Sequence, residues 1–184
     1  MTTTTINKHI ESLETAFAES AATVDWLVIA HSDALMLRCL ASALSGESAA
    51  VLALPQPVWE FDGGEFTGAI EWAIQQGNIK NLLLVGHSQA GGTTSRVSIV
   101  SSDAKQTPQN DYGKLLASVG KKNEENQIAR SEFASQVQEF CQIPGVRQQQ
   151  ADGELTVHGL FYCAESGLFL AYEAETGKYR ALMS

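Results

Sequence analysis

The chain has 184 residues, a length that suits a single domain with a sizeable core, so we predict one domain over residues 1–184. Its net charge of −9 excludes nucleic acid and anionic membrane surfaces as expected partners, because phosphates are bound by clustered Lys and Arg. No apolar stretch reaches the ~20 residues of a membrane span, and the first residues lack the pattern of a signal peptide. Three cysteines without C-x-x-C spacing suit free thiols, so we expect a cytoplasmic protein.

An N-terminal helical arm is predicted before the first strand, over about residues 5–20. Its apolar residues recur at spacings of four, three and four, which puts them on one helix face: Ile6, Ile10, Leu13 and Phe17. Because an isolated amphipathic helix must dock on something, we expect this arm to pack on a partner subunit in an obligate homodimer.

The next part of the chain alternates between strand and helix patterns. Three short apolar runs predict strands over residues 23–30, 48–54 and 80–85, and the first of these runs is typical of a buried strand. One predicted helix begins at Ser32 or Asp33 and stops at Gly46, and a second covers about residues 65–76. This β-α-β-α-β alternation predicts a parallel sheet with right-handed crossovers.

The second half of the chain has a weaker pattern. Residues 93–113 are polar and broken by a proline, so we predict mostly loop there. Residues 123–145 predict a helix that stops at a Pro-Gly pair, with Ile128 on its apolar side. Two further strands are predicted over 155–162 and 168–174, joined by a Ser-Gly turn.

The stretch LLLVGHSQAGG (82–92) permits two interpretations, and the first is a serine hydrolase. A buried strand followed by GHSQA fits the nucleophile elbow, which exposes a serine next to backbone amides. A triad in the order of α/β-hydrolases would then consist of Ser88, Asp152 and His158. The residues after the elbow have poor helix propensity and His158 lies within a strand pattern, and both points disfavour a hydrolase.

The second interpretation uses two strand ends together. VIAHSDAL (28–35) and LLLVGHSQAGG resemble the two metal-site segments of β-class carbonic anhydrases, which carry C-x-D-x-R and G-H-x-x-C-G-G. VHGLFYCAESG (157–167) is similar to that family's closing strand and turn. The helix over 123–142, followed by IPGV, is similar to a helix of the family that ends in a Pro-Val segment at the same place in the chain. The resemblance covers about residues 5–182. It implies a β-carbonic anhydrase-like α/β fold, with a parallel sheet core, C-terminal strands extending one edge and an N-terminal helical arm.

The resemblance also implies functional positions, several of which differ in this chain. In the family, zinc is held by Cys, His and Cys, and an Asp–Arg pair orients a carboxylate toward zinc-bound hydroxide. Carried over, the two Cys positions are His31 and Ala90, and the Arg position is Leu35. Asp33 and His87 match the family. Neither zinc thiolate remains, and Asp33 is vestigial without its Arg partner.

Two hypotheses about function follow from these substitutions. The first is a carbonic anhydrase-like protein that has lost its zinc site and CO2 hydration, binds no cofactor, and acts as a binding or structural subunit. Its partner would be a copy of itself, in a dimer or higher oligomer, or an active carbonic anhydrase. The alternative is an enzyme with a rebuilt metal site of His31, Asp33 and His87, ligand types that zinc accepts.

Overall fold

The fold is built around one six-stranded sheet. The computed structural model describes residues 24–54, 65–88 and 111–182, without the side chains of residues 65, 66 and 111–123. The strands are β1 (Trp26–His31), β2 (Ala49–Leu54), β3 (Asn81–His87), β4 (Thr156–Cys163), β5 (Leu168–Glu173) and β6 (Lys178–Ala181). The helices are α1 (Ala34–Ala43), α2 (Glu65–Gly77), α3 (Asp111–Cys141) and α4 (Pro144–Ala151).

The order of the strands in the sheet is β2-β1-β3-β4-β5-β6. The first four strands are parallel, while β5 and β6 are each antiparallel to the preceding strand. α1 follows β1, and α2 follows β2, as the alternating pattern predicts. The predicted α/β fold is therefore confirmed, with a parallel core and C-terminal strands that extend one edge.

Both faces of β1 and β3 are buried, which explains why these two strands are continuously apolar over Leu27–Ala30 and Leu82–Val85. On one face, Leu27 and Ile29 of β1 belong to a core that includes Ile70 of α2 and Phe133 of α3. On the other face, alternate residues of β1, β3 and β4 pack against α1 in a second cluster of Val28, Ala30, Met36, Leu40, Leu83, Val85 and Tyr162. The sheet is thus held between helices, and its polar strand ends remain for other contacts.

Helix α3 is longer than the sequence pattern predicts. It begins at Asp111 rather than at residue 123, so the prediction of loop up to residue 113 is wrong at its end. Lys114, Leu115, Leu116 and Ala117 are good helix formers, and the glycines on either side of them obscured the pattern. Ile128 was expected on the apolar side, but it is 58% exposed, whereas the next residue, Ala129, packs against the core.

The C-terminal part departs from prediction in two further places. The helix before the Pro-Gly pair, α3, already ends at Cys141, and the pair begins α4, because proline is well tolerated in a first helical turn. The predicted turn between β4 and β5 is confirmed, and Gly167 adopts a positive φ of 68° there. β6 was not predicted, since it is a four-residue, charged edge strand with little apolar pattern.

Two predictions lie beyond what the structure describes. The N-terminal arm over residues 5–20 falls outside the described residues and stays a prediction. The single domain over residues 1–184 also stays a prediction, because the described segments leave gaps. Within the described segments, no helix combines the length and the apolar character of a membrane span.

Candidate functional site

Two polar residues with different surroundings lie where β1 ends and α1 begins. His31 is the last residue of β1, and its Nδ1 atom is buried with no hydrogen-bond partner in the described part of the chain. Asp33 is the N-cap of α1, and its Oδ1 accepts a hydrogen bond from the Met36 amide at 2.7 Å. The sequence allowed either Ser32 or Asp33 as the N-cap of this helix, and the structure shows that it is Asp33.

The neighbouring strand brings a second histidine to the same edge of the sheet. β3 lies directly beside β1 and ends at His87, which is 5% exposed. The rings of His31 and His87 are 5.4 Å apart between centroids. The Asp33 Oδ2 atom lies 4.0 Å from His87 Nε2. The structure therefore brings together the three residues that the sequence proposed as a cluster.

Burial decides the ionisation of His87. Burial lowers the pKa of His87 below its ordinary value of 6.5, and His31 adds to this. The carboxylates of Asp33 and Glu165 act in the opposite direction and do not overcome burial. His87 is consequently a neutral imidazole near pH 7.

Tyr162 forms another wall of the cluster. It lies opposite His87 in the register of β3 and β4, is 1% exposed, and its ring centroid is 5.4 Å from that of His87. Burial, followed by the charges of Asp33 and Cys39, raises the pKa of the Tyr162 hydroxyl. Tyr162 was not among the predicted site residues, although its position at the end of a strand next to β3 was a usable signal.

Ser88 connects the end of β3 to the turn between β4 and β5. Its backbone amide donates to the Tyr162 carbonyl at 2.9 Å. Its hydroxyl accepts a hydrogen bond from the Ala164 amide at 3.0 Å and donates to Glu165 Oε2 at 3.0 Å. Glu165 was not among the predicted site residues, because nothing in the local pattern links that turn to Ser88.

The residues of the suggested hydrolase triad are not brought together. His158 pairs with Leu83 in the strand register, five residues from Ser88 and therefore about 16 Å away along the sheet. Its Nε2 lies 3.1 Å from Asn81 Oδ1, and its ring stacks on Trp26. Asp152 accepts a hydrogen bond from the Gln148 side chain at the end of α4. The geometry leaves Ser88 without a histidine base from this set.

A model of the protein family described as carbonic anhydrase matches residues 48–169. This range is about two thirds of the 184 residues. The chain belongs to the carbonic anhydrase family. The matched range includes His87, but it begins after His31 and Asp33, which the structure joins to His87 across the sheet.

Solved β-carbonic anhydrases share the fold of this family member. The β-carbonic anhydrase CcaA is 19% identical, with a TM-score of 0.58 over 96% of this chain and 86% of that chain. CafA from Aspergillus fumigatus is 21% identical, with a TM-score of 0.54 over 91% and 83%. A β-carbonic anhydrase from Sordaria macrospora, described as tetrameric, is 19% identical, with a TM-score of 0.53 over 93% and 86%. At such identities the likeness shows the fold alone, and a search of curated proteins finds no match.

The donor set of this family member does not fit the Cys-His-Cys zinc site that the resemblance implies. Positions 31 and 87 carry imidazoles, and position 90 is an alanine, which has no ligand atom in its side chain. Leu35 stands where the resemblance implies an arginine, and it is 55% exposed. Among residues 24–54, 65–88 and 111–182, no three His, Cys, Asp or Glu side chains form a group that could hold a metal ion.

Proposed function

We propose that this carbonic anhydrase-like protein has lost the Cys-His-Cys zinc site and CO2 hydration, and that it acts as a non-catalytic binding or structural subunit. The observation that carries the proposal is the composition of the cluster at the ends of β1 and β3. It consists of two imidazoles and a carboxylate, with neither a thiolate nor an arginine from the described residues. Position 90 is an alanine, so its side chain supplies no thiolate.

The chemistry of CO2 hydration explains why this composition matters. Bulk water is a very weak acid, and a protein-bound zinc lowers the pKa of its bound water to about 7. A neutral His87 and the Asp33 carboxylate cannot match that effect, because both are weak bases toward bulk water. Without a bound metal, the cluster has no means of supplying hydroxide near neutral pH.

A CO2 hydration assay tests the proposal directly. We expect the purified protein to show the uncatalysed rate, both as isolated and with added zinc. An active β-carbonic anhydrase serves as the positive control, and His87→Ala serves as the matched variant. A rate above background that disappears in His87→Ala would refute the loss of catalysis.

A second candidate function is a carbonic anhydrase with a rebuilt metal site of His31, Asp33 and His87. The observation that favours it is the buried His31 Nδ1, which lacks a hydrogen-bond partner among the described residues and lies in the ring that faces His87. Two imidazoles and a carboxylate are an acceptable zinc set with an open position. The side chains would have to draw together when metal binds. Zinc titration by calorimetry would support this candidate if binding is lost in both His31→Gln and Asp33→Asn.

We also propose that the protein is an obligate homodimer, or a higher oligomer, in the cytoplasm. The apolar face of the predicted arm supports self-association, and a structural neighbour is described as tetrameric. None of the three cysteines forms a disulfide, which supports a reducing compartment. Light scattering that shows a folded monomer at micromolar concentration would exclude the dimer. Co-purification with an active carbonic anhydrase would instead support a mixed assembly, and cell fractionation tests the compartment.

A further inference from the structure

Thr67 carries a buried hydroxyl without a hydrogen-bond partner. The residue is 5% exposed, and its Oγ1 atom bonds to nothing in the described part of the chain. Buried polar groups in folded proteins are nearly always hydrogen-bonded, because an unsatisfied group keeps the full cost of leaving water. An unpaired hydroxyl at this depth therefore points to a group from outside the chain that bonds to it.

The periodicity of α2 places Thr67 against the sheet. Thr67, Ile70 and Ile74 follow one another at spacings of three and four residues, and all three are buried. Ile70 and Ile74 belong to the core that includes Leu27 and Ile29 of β1. Thr67 therefore faces the same side of the sheet, one helical turn closer to the start of α2.

The order of the strands places the start of α2 over the end of β1. α2 links β2 to β3, which lie on either side of β1, so the helix crosses β1. Its first turn lies at the edge where the parallel strands end. His31 is the last residue of β1, and strand alternation puts its side chain on the face of Leu27 and Ile29, which α2 covers. His31 Nδ1 is a second buried atom that has no hydrogen-bond partner among the described residues.

The first turn of α2 favours a negatively charged ligand. The first amides of a helix have no intrahelical acceptor, and the helix dipole makes that end positive. α2 has 13 residues, and the Thr67 hydroxyl can donate a further hydrogen bond in its first turn. We propose that the first turn of α2, with the Thr67 hydroxyl and His31 Nδ1, binds a small carboxylate.

Burial and charge define the size and valence of this ligand. Because the Thr67 and His31 atoms are both buried, only a small ligand fits between them. α2 begins with an acidic residue, Glu65, which favours one negative charge over the two of phosphate. The inference rests on the proposed function and deepens it, because it names the ligand class of a subunit that binds without catalysis.

The test is formate binding to the full-length protein, measured by carbon-13 NMR titration. Thr67→Val removes the hydroxyl and keeps the shape, so the formate affinity should fall about tenfold through the loss of a hydrogen bond to a charged group. Thr67→Ser keeps a hydroxyl and should bind formate as the natural protein does. Thr156→Val is the matched control, because it makes the same substitution at an exposed position at the start of β4, on the opposite edge of the sheet.

The natural protein alone provides a test of charge. Formamide has the size of formate without its charge and should bind more weakly, and inorganic phosphate should also bind more weakly than formate. This comparison holds whatever a variant does to the fold. Melting curves verify that each variant is folded, and formate should raise the melting temperature of the natural protein more than that of Thr67→Val.

The outcomes distinguish this inference from the proposed function. Equal formate affinities of folded Thr67→Val and Thr156→Val would overturn the site, and so would the absence of formate binding by the natural protein. Formamide or phosphate binding as tight as that of formate would overturn the choice of ligand. Each of these results would leave the loss of CO2 hydration unaffected. CO2 hydration by the natural protein would overturn the proposed function, whereas the comparison of the two Val variants would still report on Thr67.

Discussion

Glu71 of α2 accepts a hydrogen bond from the backbone amide of Gly145 at 2.9 Å and thereby caps the first turn of α4. The N-cap residue of α4, Ile143, has no side chain that can perform this task. The first amides of a helix lack intrahelical partners, and a carboxylate is favourable there. A residue that is distant in sequence therefore holds α4 in place beside the sheet.

Glu71→Ala should consequently lower the free energy of unfolding by about 1–2 kcal/mol, because it leaves the Gly145 amide without its partner. Glu71→Gln keeps a carbonyl acceptor and should cost less. Urea denaturation monitored by circular dichroism measures both effects. Equal midpoints for the natural protein and Glu71→Ala would show that the cap contributes nothing.

Gly86 is required because Phe133 packs directly against its α-carbon. A β-carbon at Gly86 would lie 2.5 Å from Phe133 Cδ2, which is closer than van der Waals contact allows. Gly86→Ala should therefore destabilise the protein by about 1–3 kcal/mol through overpacking. Phe133→Leu in the same chain makes room, so the double variant should lose less than the sum of the single losses. Additive losses in thermal melting would contradict this contact.

The stability of the protein should depend on His158 below about pH 6.5. Burial lowers the pKa of His158 in the folded state, and in the unfolded chain it keeps its ordinary value of 6.5. Its contribution to stability is full above pH 6.5 and is lost as the pH falls, because the unfolded chain then binds a proton that the folded chain does not. His158→Phe should reduce the slope of unfolding free energy against pH between 7 and 5.

A slope that is unchanged in His158→Phe would exclude this role. His87 also has a lowered pKa and shifts stability in the same direction, so some slope should persist in the variant. His9→Gln, at a position outside the described residues, is the control for the loss of one histidine. The measurement needs only denaturation curves at several pH values with constant ionic strength.

Much of this fold could be predicted because its signals are local. Apolar runs identify β1, β2 and β3, and consecutive residues of β1 and β3 are buried, so both faces of these two strands are covered. Parallel strands end at one edge of a sheet, so the approach of His31 to His87 also follows from the sequence. The hydrogen bond between Ser88 and Glu165 joins residues 77 positions apart, and no local pattern indicates it. The length of α3 was missed because two glycines interrupt a run of good helix formers.

The assignment of positions 31, 87 and 90 to one ancestral site can be tested by restoring thiolates. A variant with His31→Cys and Ala90→Cys has a Cys-His-Cys set around His87 and should gain zinc affinity. Either single substitution should gain less, because it restores only one of the two thiolates. Adding Leu35→Arg should raise CO2 hydration further by pairing with Asp33. A folded double variant that binds no more zinc than the natural protein would show that the three positions do not share a site.

The metal content of the natural protein, purified without chelators and measured by mass spectrometry, tests the central claim most directly. If the Cys-His-Cys site is lost and no other set replaces it, the zinc content should be far below one atom per chain. His31→Gln should then leave that content unchanged. One zinc per chain in the natural protein, reduced in His31→Gln and in His87→Ala, would contradict the claim and establish a rebuilt site.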